Sequence, residues 1–88
     1  MCTYLTVRTE LAGSGKGPNG TWFALSDAAV YLDHPVHAQA EHTLNVDLAA
    51  PALGPGARIA VELTPASARE LVRAIETALA AAPSALTA

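Results

Sequence analysis

The chain has 88 residues, enough for one domain with a modest core and too few for a catalytic domain plus a regulatory one. Its formal net charge is −3, with five Lys and Arg in all and no basic run, which argues against nucleic acid as a partner. No stretch reaches the roughly 20 consecutive apolar residues of a membrane helix, so no membrane partner is expected either.

The hydrophobic fraction of 51% overstates the packing, because Ala fills 20 of the positions and Tyr4, Trp22, Phe23 and Tyr31 are the whole aromatic supply. A core this thin calls for help from self-association, as a homodimer or higher, or from a bound ion.

Residues 3–11 alternate, with Leu5, Val7 and Leu11 on one face and Tyr4, Thr6, Arg8 and Glu10 on the other, as a half-buried strand does. Residues 13–20 hold four Gly, a Pro and an Asn-Gly pair, and read as a turn region. Residues 21–33 return to strand, with Ser26-Asp27 as the expected bulge or turn within it. His34 to Glu41 reads as a loop. Residues 42–48 alternate most clearly, with Leu44, Val46 and Leu48 expected inside and Thr43, Asn45 and Asp47 outside. Pro51 to Gly56 forms a second loop, and 57–63 a strand with Ile59, Val61 and Leu63 inside.

Thr64-Pro65 then signals a helix start, with a capping hydroxyl and a Pro where a missing N–H costs nothing. Ala68, Leu71, Val72, Ile75 and Leu79 form its apolar stripe, and Glu70 and Arg73 are spaced to pair. Pro83 ends it. Residues 1–82 are therefore read as a single α+β domain and 83–88 as a flexible tail. The order β-β-β-β-α, with short connections, predicts a curved antiparallel sheet of four to five strands with the C-terminal helix packed on it. One helix covers only part of such a sheet, and a dimer or closure toward a half-barrel would cover the rest.

Gly15-Lys16 invites a phosphate-loop reading, but no Gly stands five residues before Gly15 and Gly17 replaces the hydroxyl that would hold magnesium. Asn19-Gly20-Thr21 spells a glycosylation sequon without a sign of secretion. The N-terminal residues show no charged segment followed by an apolar one, and a single Cys forms no internal disulfide. Both features point to a reducing, cytoplasmic location.

The histidines carry the chemical signal. His34, His37 and His42 fall within nine residues, beside Asp33, Glu41, Asn45 and Asp47. Neutral imidazole suits zinc, copper, iron and nickel, and such an ion needs three or four converging donors. His34, His37 and His42 are the expected metal ligands. Cys2 or Glu41 is the expected fourth donor, or Glu41 a base beside the metal that acts as a catalytic residue on a small-molecule ligand. The spacing matches no strong metal signature, so the same loop is also compatible with a metal-free acid–base pair or with a purely structural role. Cys2 itself has two readings, a chemically active thiol or a small buried hydrophobe. Tyr4, Trp22 and Tyr31 are expected to anchor a core or an interface.

At Met1-Cys2-Thr3-Tyr4, Gly13-Ser14-Gly15-Lys16-Gly17, Trp22-Phe23, Tyr31 to His37, Glu41 to Asn45 and Ala60 to Leu63, the chain resembles a small uncharacterised bacterial family classed as a domain of unknown function. The resemblance covers nearly the whole chain. It implies a stand-alone bacterial protein and carries over no catalytic residue. Two functions follow from the residues: a small metal-binding protein with the His loop as its site, enzymatic or not, or a non-enzymatic homo-oligomeric binding module in which that loop is incidental.

Overall fold

The computed structural model describes residues 4–35 and 41–88. Four strands, β1 (Thr6–Lys16), β2 (Trp22–Asp33), β3 (Thr43–Ala49) and β4 (Arg58–Leu63), precede one helix, α1 (Pro65–Ala81). They form an antiparallel sheet in the order β1-β2-β3-β4, which does not close. The α+β architecture with a C-terminal helix is therefore as the alternation predicts.

The register sorts the side chains. Val30 lies opposite Val46 and Leu32 opposite Leu44, while Val46 and Leu44 face Val61 and Leu63 across β4. Alternation puts these on one face and Arg8, Tyr31, Asn45, Asp47 and Arg58 on the other.

The glycine-rich segment departs from expectation. Gly13 to Lys16 is not turn but the second half of β1, paired with Leu25 to Trp22. The reason is close approach rather than a bend. A Cβ on Gly15 would stand 2.6 Å from Ile59 Cδ1 and 3.2 Å from Leu25 Cδ1, so any larger residue here has to push those side-chain ends aside. The true turn is narrower, with Gly20 at φ 81°. Gly17 N–H donates to Thr21 O at 2.9 Å. The expected irregularity at Ser26-Asp27 falls instead on the partner strand, where the register shifts between Glu10 and Gly13 and β2 runs through.

The helix starts as predicted. Thr64 Oγ1 accepts the Ser67 N–H at 3.1 Å, Pro65 opens the first turn, and Glu70 pairs with Arg73. Pro83 follows its end, and Ser84–Leu86 make an exposed 3-10 turn within the segment expected as a tail.

The burial pattern reverses two expectations. Thr43 and Asn45, expected to point outward, are the buried residues of β3, whereas Leu44, Val46 and Leu48 are only half-buried. Burial is tolerated because Thr43 Oγ1 donates to Asn45 Oδ1 at 2.6 Å, and none of the described buried side-chain polar atoms lacks a hydrogen bond. The apolar stripe of α1, expected to be core, is not buried: Leu71 is 48% exposed, Val72 55%, Ile75 51% and Leu79 54%. Amphipathicity specifies that a face seeks apolar cover, not that the same chain supplies it.

Candidate functional site

Two features of the described residues stand out: the histidine end of the sheet and the space between helix and sheet.

At the first, β2 ends at Asp33 and the chain returns into β3 at Thr43, opposite Asp33 in register. Asp33 Oδ1 accepts the His34 backbone N–H at 2.7 Å, which fixes the exit from β2. His34 Nδ1 lies 3.0 Å from the Glu41 carbonyl oxygen. A carbonyl only accepts, so Nδ1 is the donor of this contact, and in the neutral ring Nε2 is left with its lone pair. The rings of His34 and His42 stack with centroids 4.6 Å apart and an interplanar angle of 27°, and the exposed Tyr4 ring lies 6.3 Å from His42 at 53°.

The fold thus brings together two of the three expected histidines, with Glu41 beside them. Glu41 contributes its backbone carbonyl, and its side chain is free of hydrogen bonds and ion pairs among the described residues. The stack turns ring faces toward one another, whereas ligands of one ion converge through ring edges. Among the described residues no group of three or more His, Cys, Asp or Glu gathers to hold a metal. His37 and Cys2 lie outside the described residues.

The second feature is an apolar groove. Its volume is about 740 Å³. Val30, Leu32, Leu44 and Val46 line the sheet side, and Leu71 and Ile75 the helix side. It exists because α1 leaves β4 after a single Thr64 and meets chiefly β3 and β4, so its stripe and the apolar sheet face diverge. The sequence marks these residues as apolar and predicts that one helix covers only part of the sheet; the groove is the part of that face the helix leaves open.

Surface and size agree with that openness. The chain exposes 6456 Å², against about 4,900 Å² for a compact monomer of the same mass. Its radius of gyration is 14.5 Å, against about 12 Å for a compact chain of this length. Of the expected anchors, Tyr4 and Trp22 are exposed, while Tyr31 is half-buried and donates its hydroxyl to Asp47 Oδ2 at 3.1 Å.

Fold and site define a class: a small open-faced α+β module, a four-stranded antiparallel sheet with a helix that leaves part of its apolar face uncovered. The model of DUF6295, a family of unknown function, matches residues 1–88, and the chain belongs to that family. No curated protein and no solved structure matches it. Among the described residues no helix is long and apolar enough to cross a membrane.

Proposed function

We propose that the chain is a non-enzymatic, self-associating module, and that a second copy covers the apolar groove. The observation that carries this reading is the exposed stripe of α1 beside an open apolar sheet face. The chain exposes 6456 Å², roughly 1,600 Å² more than a compact monomer would, and the α1 stripe is part of that exposed apolar surface. A second copy is the occupant that fits, because each chain offers both an unpartnered helix stripe and an unpartnered groove. A two-fold pairing satisfies both at once with one self-complementary patch. At the modest net charge of −3, repulsion between copies is weak. Sedimentation equilibrium at micromolar concentration tests it. Twice the chain mass is expected, and a single-chain mass overturns the proposal.

One observation favours a second reading, a transition-metal site at the histidine end. A histidine ligand usually donates its other ring N–H to a carbonyl or carboxylate, and His34 Nδ1 does so toward Glu41 O. His34 and His42 would be ligands, with His37 and Cys2 as further donors and zinc, copper, iron or nickel as the ion. The His34 and His42 rings would have to slide from stacked to edge-convergent. Calorimetric titration of the apo-protein with each ion tests this reading. Binding near one equivalent, lost in His34→Ala and in His42→Ala, is the expected result, and no heat with any of the four ions overturns it.

A further inference from the structure

We infer that the sheet face opposite the helix carries a binding site for a small zwitterion of the α-amino-acid type. The site is a cup of about 450 Å³, walled by Thr6, Arg8, Asp27, Tyr31, Asp47 and Arg58. Its floor is alanine. Ala29 sits between Arg8 of β1 and Asp47 of β3 in register, and Ala49 between Asp27 of β2 and Arg58 of β4. Two small residues ringed by long polar ones make a depression in what would otherwise be a level sheet surface.

The charges within the cup select the ligand. Both oxygens of Asp47 are engaged: Oδ1 accepts from Arg58 at 2.8 Å and Oδ2 from the Tyr31 hydroxyl at 3.1 Å. That pairing neutralises Asp47 and Arg58 and holds two walls in place. One cation and one anion remain. Arg8 has no hydrogen bond or ion pair among the described residues, and Asp27 accepts only the neighbouring Ser26 hydroxyl. Arg8 and Asp27 do not pair with each other, although both line the same cup. A carboxylate fits the guanidinium fork of Arg8. An ammonium fits Asp27, and Glu10, directly opposite Asp27 in register, deepens the negative potential there. A phosphate dianion would gain Arg8 but meet Asp27 and Glu10, so the site disfavours it. Every wall is on the face turned away from the apolar groove, so a second copy seated in that groove leaves the cup open.

The test titrates the full chain with the standard α-amino acids at up to about 10 mM, a range that detects millimolar affinity. Their des-amino carboxylic acids, their decarboxylated amines and inorganic phosphate serve as matched probes. At least one amino acid is expected to bind, with each matched probe weaker. Arg8→Gln and Asp27→Asn are each expected to weaken binding about tenfold or more, the scale of a charged hydrogen bond. Both side chains are exposed, so neither change leaves a buried group unpaired. Backbone amide shifts of the wild-type chain give a readout that does not depend on the variants folding. They are expected to centre on Arg8, Ala29, Asp47 and Ala49. No binding by any amino acid overturns the inference, as does equal or tighter binding of phosphate or of a des-amino acid. Shifts centred elsewhere, or unchanged affinity in folded Arg8→Gln or Asp27→Asn, overturn it too.

Discussion

Replacing Ile75 with Asp is expected to halve the sedimentation mass, and replacing it with Ala to destabilise the assembled protein by about 2–5 kcal/mol, the range for truncating a fully buried Ile. Ile75 lies in the middle of the α1 stripe, on the groove wall, and is 51% exposed in the single chain. That exposure makes the experiment decisive. If one chain were the working unit, Ile75→Ala would remove a half-exposed side chain and put the better helix former in its place, so stability would change by about 0.5 kcal/mol or less. If a second copy covers the groove, the same change opens a cavity in the interface. Denaturation at two protein concentrations separates the cases further. A dimer's midpoint rises with concentration and a monomer's does not. A concentration-independent midpoint together with a neutral Ile75→Ala would dispose of the self-associating module.

The second large effect is expected at Gly15. On β-propensity alone, Gly15→Val in a strand should stabilise, since Val is among the best strand residues and Gly among the worst. The structure reverses the sign. The Cβ alone would come within 2.6 Å of Ile59 Cδ1, and the two methyls of Val crowd Leu25 as well. A loss of about 2 kcal/mol is expected, within the range for overpacking a filled site. Ile59 Cδ1 is the free end of a side chain, so the strain has a specific remedy. In an Ile59→Ala background the penalty of Gly15→Val should largely vanish, giving a favourable coupling of about 1 kcal/mol or more in the double-mutant cycle. Urea unfolding of the four proteins measures it. A stabilising Gly15→Val, or a coupling near zero, would mean that β1 does not approach Ile59 as described.

These two positions also mark where the sequence was legible and where it was not. Alternation through Leu44, Val46 and Leu48 and the Thr64-Pro65 signal are local, and both led to the right element. Gly15 was misread because one residue type serves two purposes. It permits a turn, and it permits two chain segments to touch, and only the second depends on where Ile59 lies. Ile75 was recognised as apolar, but its periodicity is silent on which surface meets it.

Thr43 and Asn45 were assigned outward by the same alternation that placed Leu44 correctly on the other face. The pattern assumes that the polar face is the wet one, and their mutual hydrogen bond removes the need for water. The histidine end was visible as a cluster in the chain. That His34 and His42 stack, and that Glu41 offers its carbonyl, depends on how the chain leaves β2 and enters β3. The cup was invisible, because Arg8, Ala29, Asp47 and Arg58 belong to four strands and meet only through register.

The slip in pairing between Glu10 and Gly13 has a bearing on what happens when the protein is concentrated. β1 is an outer strand of 11 residues, long enough for its free backbone groups to recruit strands from other molecules and grow a fibril. The extra residue breaks that row of donors and acceptors near its middle and twists the two halves out of line. Arg8, Glu10 and Lys16 add charges of both signs along it. The opposite outer strand, β4, is only six residues long and carries Arg58 and Glu62. With both margins of the sheet guarded against lateral growth, the second copy proposed for the groove would associate face to face rather than edge to edge. Such contact would be finite: two molecules would complete it, and a third would find nothing to continue.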